Sequence, residues 1–186
     1  IDTTIDAFTH SVEGYLSRLD HPKIYPLVKE SLRKIIDSIE QDPELSSEKT
    51  KNNLLWASYL AGIVQNHCST GLCHSISHQL SRFGIAHGRL NAIFLPDVLK
   101  FNYSMSDNKL DELSKDLGFL DGEKIINWLV ELNEKYGIGN LEKNKSKTIE
   151  ITDALVLDIM NDPTFKTTPY KIGEKQLKEI LLSSLE

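Results

Sequence analysis

The chain has 186 residues, enough to bury one substantial core, and is read as a single domain over 1–186. Its net charge of −6 argues against a nucleic-acid partner, which would show as clustered Lys and Arg. No apolar run approaches the ~18 residues needed to span a membrane, and two cysteines, Cys68 and Cys73, cannot build a disulfide framework or a zinc ribbon, so a soluble protein of a reducing cytoplasm is expected.

Apolar residues recur at helical spacing almost throughout, without the alternation of a half-buried strand, and an all-α fold is expected. The first helix is predicted over 3–19 and the second over 25–41. Ile24, Leu27, Val28, Leu32, Ile35, Ile36 and Ile39 form the second helix's buried stripe, and Asp42-Pro43 stops it. Ser46 or Ser47 caps a third helix running to about Gln65; its 54–62 stretch is apolar nearly all round, which predicts a central position. Thr70 or Gly71 opens the next helix and Gly84 closes it. A further helix carries Leu90, Ala92, Ile93, Leu95, Val98 and Leu99, with Pro96 inside it. Smaller helices are predicted at about 107–117, 122–136, 152–161 and 173–185, and 140–147 reads as a solvated loop. The chain begins with Ile1, barely one turn before a candidate ligand, so a piece of a longer protein is expected.

Four of the 6 histidines fall in two clusters. The first is Asp6-Ala7-Phe8-Thr9-His10; the second runs from Gly71 to Gly88 and holds His74, His78 and His87. Residues four apart share a helix face, so Asp6 and His10 can close on one ion, and His74 and His78 can do the same. A surface hydrogen-bonded pair is the commoner reading of either cluster alone. Together they form a borderline ligand set suited to Fe(II) or Zn(II), with five candidates for four places. Cys73 reads as a small packing residue, Arg82 as either a phosphate contact or a solvated helix end, and His67 as a capping or surface residue in preference to one lining the cleft.

These residues resemble the C-terminal helical domain of the iron-containing (group III) alcohol dehydrogenases, an architecture related to dehydroquinate synthase. The resemblance is carried by Asp6-Ala7-Phe8-Thr9-His10 with Glu13, by Gly71-Leu72-Cys73-His74 with His78, and by Phe83-Gly84-Ile85-Ala86-His87-Gly88. Asn91-Ala92-Ile93-Phe94-Leu95-Pro96 and the 170–181 segment extend it over essentially the whole chain. Ala86 stands where Pro is usual, Thr4 where a small Gly or Ala is common, and His67 and Ser69 replace a frequent Asn and Gly.

The resemblance implies a divalent metal held by Asp6, His10, His74 and His87, with His78 serving proton transfer rather than ligation. It further implies an NAD(P)-dependent enzyme acting on a small alcohol or carbonyl substrate, with NAD or NADP held by an N-terminal domain missing from this chain. Homo-oligomers are a possible assembly, and the fragment alone is expected to be inactive. The alternative reading is a stand-alone helical metal-binding or interaction module without redox activity.

Overall fold

A computed structural model describes residues 1–105, 108–144 and 149–184. Among the described residues there is no strand, and no helix is long and apolar enough to cross a membrane. The helices are α1 (Asp2–Leu16), α2 (Tyr25–Gln41), α3 (Glu48–Cys68), α4 (Leu72–Leu80), α5 (His87–Ser104), α6 (Asn108–Asp116), α7 (Gly122–Lys135), α8 (Leu141–Asn144), α9 (Asp153–Asn161) and α10 (Glu174–Ser183). Short 3₁₀ turns at Pro22–Ile24, Ser81–Phe83 and Pro163–Thr167 tighten three of the connections.

Two helices organise the bundle. The first, α1, packs against α2, α3 and α5; the second, α5, packs against α1, α4, α7 and α10. On α1 the residues Thr4, Ile5, Ala7, Phe8, Thr9 and Ser11–Leu16 are all buried, so polar atoms inside it must find partners. They do: Ser11 donates to Ser31 of α2, whose hydroxyl donates in turn to the Ala57 carbonyl of α3. The core helix is therefore α1 and not α3. Although α3 is apolar nearly all round, only Ala57, Leu60, Ala61, Val64 and Cys68 of its apolar side chains are buried, while Leu55, Trp56 and Tyr59 face outward with the two rings stacked at 5.3 Å.

Several boundaries differ from expectation for local reasons. Ser17 ends α1 three residues early, because its hydroxyl accepts from Leu19 N and donates to the Cys68 carbonyl, while Arg18 N donates to Thr167. The expected loop over 140–147 instead contains α8: Leu141 is fully buried, and the Asn144 amide closes on the Ile138 and Asn140 carbonyls. Residues 145–147 of that loop, the start of the predicted 107–117 helix and the end of the 173–185 helix lie outside the described residues. Elsewhere the predicted caps are present, with Ser47 accepting from Thr50 N and α2 ending at Asp42.

Inside α5, Pro96 has no N–H for the Ala92 carbonyl one turn back. Asn133 of α7 supplies the missing donor at 2.6 Å, which lets the helix continue and joins α5 to α7. At the end of α3, Ser69 adopts φ 60° and ψ −169°, a conformation natural to glycine, in order to turn the chain into α4. We predict that Ser69→Gly stabilises the chain by on the order of 1 kcal/mol, read as a higher urea midpoint at unchanged slope. A lower midpoint would show that the serine's own contacts outweigh the strain.

Candidate metal centre

Helical spacing places Asp6, His10 and Glu13 on one face of α1, one turn after another. His74 and His78 come from α4, and His87 and Asn91 from the first two turns of α5. Close approach of α5 to α1 requires Gly88, where a Cβ would lie 2.4 Å from the Asp2 carbonyl oxygen.

Glu13 is the deepest carboxylate here, 4% exposed, and all its partners come from the start of α4. One oxygen accepts the Cys73 N–H at 2.7 Å; the other accepts Gly71 N–H at 2.9 Å and His74 Nδ1 at 2.7 Å. No side chain of α4's own N-terminal segment caps the helix, so a carboxylate from α1 does so across 58 residues of sequence. A negative group at a helix N-terminus satisfies orphan N–H groups and interacts well with the helix dipole. Gly71 is needed for this contact, since a Cβ would stand 2.9 Å from Glu13 Oε1.

With Nδ1–H given to Glu13, His74 turns Nε2 toward Asp6 Oδ1, 3.7 Å away, and His87 Nε2 lies 3.4 Å from the same oxygen. One ligand atom from each of Asp6, His74 and His87 lies within 4.8 Å of the others. His10 is outside this trio: its ring lies flat against His74, 4.4 Å between centroids. His78 is not in the trio either. Its ring stacks over His87 at 5.3 Å on the more exposed side, and its Nδ1 meets Asp162 Oδ2 at 3.0 Å.

The protonation states suit a cation. Burial pulls the Asp6 carboxyl upward, but the surrounding imidazoles outweigh it and hold the group below the usual range. Burial first, then the charge of His74, pushes His10 down to about 4, and burial also lowers His87. Those two rings are neutral and offer lone pairs. His74 goes the other way: burial opposes its charge, yet hydrogen bonds with Asp6 and Glu13 push it up to about 9. The cluster thus gathers positive charge at its middle, the place a divalent ion would take with loss of the His74 proton.

Asn91 carries the same message. Ser77 donates to its Oδ1 at 2.6 Å, which turns Nδ2 toward Asp6 Oδ1 (2.6 Å), His87 Nε2 (3.2 Å) and His74 Nε2 (3.3 Å). Once His74 has lost its proton, an amide nitrogen has two hydrogens for these three acceptors. The acceptors converge on a point where one cation satisfies all of them, so the residues fit the metal that the resemblance implies.

Three contributors were not assigned roles from the sequence. Glu13 and Asn91 each had a signal, because they follow His10 and His87 by three and four residues on the same helix faces. Asp162 had none, since it meets His78 across 84 residues and its Asp-Pro context reads only as a helix stop. The other singled-out residues are structural: Cys73 is a fully buried free thiol whose pKa burial raises well above normal, Arg82 pairs with Asp158 at the surface, and exposed His67 bonds the Ile63 carbonyl.

Comparison with known proteins bears out the family resemblance read from the sequence. The family described as Fe-containing alcohol dehydrogenase family, C-terminal, matches residues 1–185. The chain is 28% identical to an NADPH-dependent butanol dehydrogenase of Clostridium saccharobutylicum, over 96% of this chain and 48% of that protein. It is 26% identical to an alcohol dehydrogenase of Thermococcus barophilus, over 95% and 47% respectively. Among solved structures, an iron-containing alcohol dehydrogenase from Thermococcus thioreducens superposes with a TM-score of 0.88 at 26% identity, over 99% of this chain and 50% of that one. A 1,3-propanediol oxidoreductase gives the same TM-score and identity over 98% and 50%. The chain therefore spans about half the length of the relatives it matches.

Glu13→Gln tests the cap. Either oxygen that becomes an NH₂ group faces N–H donors, so the substitution should lower stability by about 1–3 kcal/mol. Zn(II) affinity, read by chelator competition, should fall about 10–100-fold. Unchanged affinity would show that Glu13 does not orient His74.

Proposed function

The chain belongs to the Fe-containing alcohol dehydrogenase family, whose C-terminal part it matches, and from that premise we propose that it is the metal-binding, substrate-side half of an NAD(P)-dependent dehydrogenase that interconverts a small alcohol and its aldehyde or ketone. The observation that supports this most is the convergence of Asp6, His74 and His87 on one point, with His10 against them. The butanol dehydrogenase and the propanediol oxidoreductase among its relatives support a short alcohol as the substrate class. The nicotinamide cofactor would be held by the half of the protein beyond this chain.

In this reading Asp6, His10, His74 and His87 hold one divalent ion, with Fe(II) preferred and Zn(II) also suited to a nitrogen and oxygen donor set. Bound there, the ion supplies Lewis acidity toward the substrate oxygen. The chain's own residues do the rest. Glu13 keeps His74 in the tautomer that presents Nε2, and Asn91 steadies the Asp6 carboxylate. His78, on the more open side of His87, carries a proton between the substrate hydroxyl and water.

The full-length protein should bind one metal ion per chain, measured by elemental analysis of protein prepared without air. His74→Ala and His87→Ala should each empty the site. His78→Ala should retain the metal while turnover drops by about 10²–10⁴-fold, the range for loss of a general acid–base group. Retention of stoichiometric metal by both ligand variants contradicts the assignment. Metal loss in His78→Ala equal to that in His74→Ala makes His78 a ligand.

A further inference from the structure

Two histidines one turn apart on α4 each direct Nδ1 at a carboxylate from a distant part of the chain. His74 meets Glu13 of α1, and His78 meets Asp162 at the end of α9. The first pair orients a proposed ligand. The second lies outside the donor trio and calls for its own explanation.

Asp162 is held from several directions. It is 8% exposed and caps the 3₁₀ turn at Pro163–Thr167. Its Oδ1 accepts both the backbone N–H and the hydroxyl of Thr164, at 2.9 and 2.7 Å. The Thr164 hydroxyl also touches Ser75 of α4 at 2.9 Å, tying the turn to the helix that carries His78. Oδ2 is left for His78 Nδ1 at 3.0 Å, with the Gln79 amide at 3.4 Å. Burial pulls the Asp162 carboxyl upward, but the Thr164 and His78 donors outweigh it and keep the group anionic. An unprotonated Nδ1 at 3.0 Å from this oxygen would set two acceptors against each other.

We infer that Asp162 is the positioning residue for His78, fixing its imidazole in the Nδ1–H tautomer so that Nε2 carries the lone pair. The consequence for turnover rests on the proposed role of His78; the tautomer itself does not. A neutral imidazole transfers a proton in the wanted direction only if the nitrogen facing the reactants is the unprotonated one. A fixed tautomer removes the population that would face the wrong way.

Asp162→Asn tests this without removing the cap, because Asn caps as well as Asp and has the same size. The orientation of the new amide is dictated by Thr164: two donors face one atom, so the carbonyl oxygen goes there and the NH₂ goes to His78. His78 must then accept at Nδ1 and carry its proton on Nε2. Long-range proton–nitrogen correlation spectra of this chain in alkaline buffer, with the His78 signals assigned by their loss in His78→Gln, read the tautomer directly. The expected result is Nδ1–H in the parent chain, Nε2–H in Asp162→Asn, and a mixture in Asp162→Ala. In the full-length enzyme Asp162→Asn should keep its metal and hold KM within a few-fold, while kcat falls about 100-fold or more. An Nε2–H tautomer in the parent chain, or no change of tautomer in Asp162→Asn, overturns the inference. A tautomer that switches with kcat unchanged supports the positioning role and instead removes His78 from the proton path.

Discussion

The buried carboxylate of Glu13 is the constraint from which the rest of the centre follows. A charge with 4% exposure is tolerable only when hydrogen bonds replace its hydration, and Glu13 finds them at Gly71, Cys73 and His74. The same contacts cap α4, lock α4 against α1 and set the tautomer of His74. The capping of α4, interhelical packing and the orientation of a proposed ligand are thereby a single event, and losing the carboxylate would affect all three.

Around that joint the bundle is arranged to bring the starts of α4 and α5 against one face of α1. The centre takes Asp6, His10 and Glu13 from successive turns of α1 and its remaining side chains from the first two turns of α4 and α5, and Gly71 and Gly88 permit the approach. Farther along α5, Asn133 compensates for the carbonyl freed by Pro96, so the helix that delivers His87 and Asn91 is anchored to α7. A site built on helices fixed by such contacts is more sharply positioned than one on loops. Positioning continues outward from the proposed ligands, with Asn91 fixed by Ser77 and His78 by Asp162.

Much of the fold was legible in the sequence, because amphipathic spacing and caps are local signals. The 25–41 helix matches α2 at both ends, Ser47 does cap α3, and Gly84 does close the α4 segment. What failed depended on tertiary contacts. Composition placed α3 at the centre, whereas burial belongs to α1, whose small polar residues Thr9 and Ser11 disguise it and are satisfied within the core. The 140–147 segment looked solvated because Lys, Glu and Asn dominate it, while the burial of Leu141 anchors a helical turn over Leu141–Asn144. For the site, clustering pointed to five candidates, Asp6, His10, His74, His78 and His87; the fold gathers ligand atoms of Asp6, His74 and His87 and leaves His10 and His78 stacked beside them. The residues that orient these histidines reach them across 61 and 84 residues of sequence, a distance over which no spacing rule operates.

X-ray absorption at the metal edge of the Zn(II)-loaded protein tests the central claim most directly, because imidazole ligands leave a distinct outer-shell scattering pattern. The account predicts a shell dominated by imidazole nitrogens with a carboxylate oxygen at about 2.0–2.2 Å, and loss of the imidazole pattern when His74 and His87 are both replaced by Ala. An all-oxygen shell, or an imidazole shell that survives the double replacement, would contradict it.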